Sequence, residues 1–113
     1  MSDAYEQPRF VSKAETEAHV ASKDRDRIVT ALIGAALESD DRAWVEGLCL
    51  KVAGHEDKWV RKAVATSAAH LARIHGALGQ ALHRALTKLA DDPEIGGDVE
   101  DALDDINTFV EAS

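Results

Sequence analysis

Apolar positions along the chain recur at three- and four-residue spacing and nowhere sustain a strict alternation, which predicts helices and no strands. Ser12 followed by Glu15 resembles a capping box and opens a short helix through about Val20. Ser22 and Asp24 offer the next start. After them Ile28, Val29, Leu32, Ile33, Ala36 and Leu37 put one broad apolar face on a helix over 24–38. Ser39-Asp40-Asp41 breaks that helix and caps another over 42–53, marked by Trp44, Val45, Leu48, Cys49 and Val52 and ended by Gly54. His55-Glu56-Asp57 starts the longest pattern, in which Val60, Val64, Ser67/Ala68, Leu71 and Ile74 lead to Gly76. Leu78, Leu82, Ala85, Leu86 and Leu89 continue in a helix over 78–90. Asp91-Asp92-Pro93-Glu94 reads as a turn with its proline at a first helical position. Gly96-Gly97 interrupts, and Asp98 is expected to cap a last helix carrying Val99, Leu103, Ile106, Phe109 and Val110. Residues 1–12 lack periodicity and include Pro8, so they read as a loose arm in which Phe10 is the candidate packing residue. The expectation is one all-α domain over 13–113, of about six antiparallel helices joined by short turns.

Composition supports this reading. A chain of 113 residues fits one domain, and 4% aromatic content with abundant Ala and Leu leans toward helix packing. One cysteine excludes a disulfide framework and a Cys-rich zinc site. No apolar run approaches the roughly 20 residues of a membrane span, and the polar start does not read as a signal peptide. A soluble cytoplasmic protein with no membrane partner is therefore expected. The net charge of −8 argues against nucleic acid as a partner, because a phosphate backbone demands a basic face.

That charge is unevenly placed. All 13 Lys and Arg lie at or before Lys88, whereas nine of the 21 acids follow it: Asp91, Asp92, Glu94, Asp98, Glu100, Asp101, Asp104, Asp105 and Glu111. Residues 1–88 carry a net +1 and residues 89–113 carry −9. A nearly neutral body with an acidic end steers basic partners toward that end. Helix-dipole complementation accounts for Asp98, Glu100 and Asp101 but not for Asp104, Asp105 and Glu111, which fall where the dipole disfavours anions.

An internal repeat runs through the helical part. Asp57-Lys58-Trp59-Val60-Arg61 opens one helix, Asp92-Pro93-Glu94-Ile95 occupies the same kind of turn 35 residues later, and 35 residues before Asp57 lies the turn at Ser22. Such spacing suits stacked two-helix units. In its run His55-Glu56-Asp57-Lys58-Trp59-Val60-Arg61-Lys62-Ala63-Val64-Ala65, followed by His70-Leu71-Ala72, the chain resembles the HEAT-repeat superfamily. The run looks like the turn and second helix of a HEAT unit, in which a turn Asp and a Val-Arg pair recur. Lys58, Val64 and Ala68 depart from the usual pattern, and Gly96-Gly97 stands where the third unit would have its Arg. The resemblance implies a short right-handed α-solenoid of antiparallel helix pairs. Asp57 can cap its helix, Val60 can enter the core, and Arg61 can bridge to acids of the neighbouring turn or to Asp57 at i, i+4.

Reactive chemistry finds little support. His70 and His75 are separated by about 140° around a helix, no carboxylate stands at ligand spacing beside two histidines, and no metal is expected. Cys49 lies between Leu48 and Leu50 and reads as a buried structural thiol. No phosphate-binding loop, catalytic triad or calcium loop is present in the pattern, so no cofactor is expected. Trp44 and Trp59 each precede a Val on the apolar stripe; core packing is the favoured reading, and exposure as anchors of a binding surface is the other.

Three functions follow in order of preference. The first is a non-enzymatic module that captures a basic protein. Small acidic HEAT-like proteins of bacteria are similar to immunity proteins, which neutralise toxin domains in interbacterial competition such as contact-dependent growth inhibition. The acidic end would complement a cationic, nucleic-acid-cleaving partner through electrostatic steering, with Glu94, Asp98, Asp101, Asp104, Asp105 and Trp59 as the expected contact residues. The second is a regulatory or adaptor subunit of a cellular enzyme complex, whose functional surface would lie within residues 1–88. The third, a small lyase using Asp, Glu and His, ranks last because no acid and base pair at defined spacing.

Overall fold

Side-chain caps open the first four helices. In the computed structural model, which describes residues 12–110, α1 spans Lys13–Val20, α2 Arg25–Glu38, α3 Arg42–Val52 and α4 Lys58–His75. The backbone amides of Glu15, Arg27, Trp44 and Trp59 donate to Ser12, Asp24, Asp41 and Asp57 at 3.1, 3.2, 3.1 and 2.8 Å. Each bond satisfies a helix-terminal amide that the helix itself leaves unpaired. Gly76, at φ 67°, closes α4 in the left-handed conformation that favours glycine, and its amide returns to the Ala72 carbonyl at 2.8 Å.

The remaining two helices, α5 (Gln80–Leu89) and α6 (Gly96–Phe109), start without a side-chain cap. Asp98 therefore does not cap α6, as its position after Gly97 had predicted. The chain turns earlier: Asp92 accepts the Glu94 amide at 2.8 Å, its carbonyl accepts the Gly96 amide at 2.7 Å, and α6 continues directly from that turn. Gly96 is a steric necessity rather than an interruption, because a Cβ there would stand 2.6 Å from the Ala90 carbonyl oxygen. The expected packing of Phe10 and the arm before residue 12, together with Glu111, lie outside the described residues.

Six helices and no strand make up the described residues. They form three antiparallel pairs, α1–α2, α3–α4 and α5–α6, stacked so that α2, α4 and α6 line up as one layer and α1, α3 and α5 as the other. Arg25 at the start of α2 reaches Asp57 at the start of α4 (3.7 Å), and Arg61 in the first turn of α4 reaches Asp92 before α6 (2.9 Å). The starts of α2, α4 and α6 therefore share one end of the layer. The shortest dimension, 20 Å, is that of two helices of about 10 Å each.

The core lies between the layers and contains no aromatic side chain among the described residues. Ile28, Leu32, Val45, Leu71, Leu82, Leu86 and Ile106 are fully buried, alongside Ala35, Ala36, Ala63, Ala65, Ala68 and Ala72. Small side chains at these contacts let helix axes approach toward the short end of the usual 8–10 Å range. The 35-residue spacing persists in the packing: Val60 and Ile95, Val64 and Val99, and Leu71 and Ile106 are buried pair by pair. Ser67, also fully buried on α4, finds no partner for its hydroxyl.

Candidate partner-binding surface

The surface begins where α4 begins. Arg61, 12% exposed, uses all three guanidinium nitrogens: Nε donates to Asp92 at 2.9 Å, Nη2 to Glu94 at 2.7 Å, and Nη1 to the carbonyls of His55 and Glu56, both at 2.8 Å. The expected bridge to the neighbouring turn is present. The alternative pairing with Asp57 is replaced, since Asp57 instead caps Trp59 and meets Arg25. The Glu94 amide and the Arg61 guanidinium hold the Asp92 carboxyl below its ordinary range. Glu94, expected at a partner, thus also serves to hold α4 to α6.

Trp59 lies one helical position ahead of Val60 and, being off the apolar stripe, is 47% exposed rather than packed in the core. The Lys58 and Lys62 ammonium groups stand 5.6 and 5.0 Å from its ring centre, within cation–π range. Lys62 also reaches Asp98 on α6 at 3.6 Å, which links tryptophan and acidic helix into one surface. Trp44 behaves differently. It packs on the edge of the core, its indole N–H donates to Glu17 at 2.8 Å, and Lys13 sits over its ring.

Along α6, Asp98, Glu100, Asp101, Asp104 and Asp105 are all exposed while Val99, Ala102 and Ile106 are buried. Among the described residues no cation pairs with Glu100, Asp101, Asp104 or Asp105. The structure thus divides the predicted contact residues. Glu94 and Asp98 have intramolecular partners, whereas Asp101, Asp104 and Asp105 face solvent without them.

Periodicity placed Leu37, Ile74 and Phe109 on core faces, yet they are 45, 43 and 44% exposed. Each lies in the last turn of its helix, beyond the reach of the neighbouring layer. Lys58 and Lys62, which set the charge around Trp59, were missed as site residues; their spacing at i−1 and i+3 from an exposed tryptophan is the signal that would have found them.

Potentially reactive groups are turned to structural use. Burial, and then the Glu46 carboxylate, pushes the Cys49 thiol up to about 12. Glu46 itself pairs with Arg42 and accepts the Gly79 amide at 2.9 Å, fastening the turn between α4 and α5 to α3. Partial burial, helped by Arg73, holds His70 below its ordinary range. No group of three or more His, Cys, Asp or Glu among the described residues could hold a metal ion. No helix among them is long and apolar enough to cross a membrane.

The whole arrangement has a solved counterpart. A chain in the crystal structure of a CDI complex from Cupriavidus taiwanensis LMG 19424 is similar, with a TM-score of 0.79 and 27% sequence identity. The likeness covers 96% of this chain and 98% of that one, so it extends over the domain rather than over a single helix pair. No protein-family model and no curated protein matches the chain.

Proposed function

We propose that the protein is a bacterial immunity protein, HEAT-like in build, that binds and neutralises a basic toxin domain of a contact-dependent growth inhibition system. The observation that carries this reading is the near-complete likeness to a chain of a CDI complex. Two features of the chain accord with the immunity role rather than that of the toxin. Its groups with reactive potential are spent on structure, as at Cys49 and Glu46, and its acidic end presents Asp101, Asp104 and Asp105 without partners among the described residues. Such carboxylates accelerate encounter with a cationic surface and favour a nuclease, whose own substrate demands a basic face. Inhibition needs only that the bound module cover that face.

The test is co-expression with the toxin domain encoded next to this gene. Cells carrying both should grow, cells carrying the toxin alone should arrest, and the two proteins should co-elute as a complex. Reversal of Asp101, Asp104 and Asp105 to Lys should weaken the complex tenfold or more and flatten its dependence on salt. A gene neighbourhood of housekeeping enzymes, or binding confined to residues 1–88 with the α6 acids dispensable, would instead favour the adaptor reading.

A further inference from the structure

We infer that the partner docks along the open side of the α2–α4–α6 layer, bringing an acidic side chain to the lysines around Trp59 as well as basic side chains to α6. This rests on the immunity reading above and specifies its interface. The helix α4 has α2 and α6 beside it and α3 and α5 behind it, so its solvent-facing residues away from its ends form a stripe on the open side of the layer. Trp59 begins that stripe, and Lys62 and Arg73 continue it.

Apolar exposure also favours the helices of this layer. Of the five exposed large apolar residues among the described ones, Leu37, Trp59, Ile74 and Phe109 lie on α2, α4 and α6, and Leu50 lies on α3. Phe109 follows Ile74 by 35 residues, the spacing that separates the buried pairs Val60 and Ile95, Val64 and Val99, and Leu71 and Ile106. Both residues thus share the phase of the buried positions and are exposed because they fall in the last turns of α4 and α6, at the end of the layer away from Trp59. Trp59 and Arg73 are 14 residues apart on one helix, about 21 Å at 1.5 Å per residue. One partner surface of standard size, about 800 Å² a side, spans that length.

Charge then specifies the partner. Lys58 has no carboxylate within reach among the described residues, and Lys62 shares only Asp98 at 3.6 Å. Two ammonium groups already occupy the neighbourhood of the Trp59 ring, so a partner cation stacking on it would meet like charge. A carboxylate beside an apolar contact fits instead. The α6 acids next to this stripe require the opposite sign. A uniformly basic partner satisfies one half of this surface and is repelled by the other; a partner with both signs in register satisfies both.

The experiment measures affinity between the full chain and the purified toxin domain encoded beside the gene, by titration calorimetry at two salt concentrations. Lys58→Glu with Lys62→Glu should weaken binding tenfold or more, and Trp59→Ala by at least as much. Because Lys62 contacts Asp98, Lys58→Glu alone serves as the variant that breaks no ion pair and loses only the long contact with the Trp59 ring; it should still weaken binding severalfold with little change in the melting temperature. Unchanged or tighter binding by the lysine variants, with the Asp101→Lys and Asp105→Lys variant weakened, overturns the inference and leaves α6 alone as the interface. Failure of the unaltered chain to bind that domain removes the immunity reading itself, and the inference with it.

Discussion

At the start of α4, Arg61 binds two carboxylates and two carbonyls and is nearly enclosed; on the outer face of α6, Asp101, Asp104 and Asp105 stand in solvent with no cation of the described residues beside them. Both regions are rich in charge, and both fall in the repeat that the sequence displays. They differ in what their charges cost when changed. A charge that is desolvated and fully paired cannot be removed without stranding its partners, whereas a solvated one changes little except the field seen by an approaching molecule. Charge that holds the fold and charge left to solvent are thus separated by burial and pairing rather than by residue type.

The most direct way to break this contrast is Arg61→Ala. It should have the largest effect on stability, because it removes two ion pairs and two carbonyl contacts at once, and it should lower the melting temperature clearly in thermal denaturation. The acid limb gives an independent reading. Asp92 is held below its ordinary value of 3.8, so its contribution is present above that pH and is lost as pH falls through the lower folded value. In Arg61→Ala that loss on acidification should shrink; an unaltered acid limb would assign it to other carboxylates.

Gly96→Ala is expected to come next, at about 1–3 kcal/mol. The new Cβ would press on the Ala90 carbonyl oxygen at 2.6 Å, and backbone cannot yield as a flexible side chain can. It acts on the turn that Arg61 braces, so combining the two changes should give less than the sum of their separate effects. The smallest effect is expected at α6: reversing Asp101, Asp104 and Asp105 to Lys should shift stability by only a few tenths of a kcal/mol per site. A large loss of stability there would erase the distinction between the two regions.

Much of the fold was legible because helix capping and three-to-four periodicity are local. Asp24, Asp41 and Asp57 each cap the helix they precede, and the bridge from Arg61 to the next turn followed from the repeat. The errors share one physical cause. Asp98 does not cap α6, because the Asp92 turn had already started the helix. Leu37, Ile74 and Phe109 satisfy the periodicity but sit in last turns with no helix opposite them. Trp44 and Trp59 have near-identical local contexts, yet Glu17 and Lys13 meet one while only lysines of its own helix flank the other.

The sequence by itself determined that this protein is helical, where most helices begin, which stripe each one buries, and that negative charge gathers in the last quarter of the chain. Those properties depend on residues within a turn or two of one another. Only the tertiary structure decided which acids are bound and which are available, that Trp59 faces outward between two lysines, and that most of the exposed large apolar side chains among the described residues lie on one layer. These depend on which helix stands opposite, and a side chain's neighbours across a helix interface are chosen by the stacking of units some 35 residues apart rather than by its own segment.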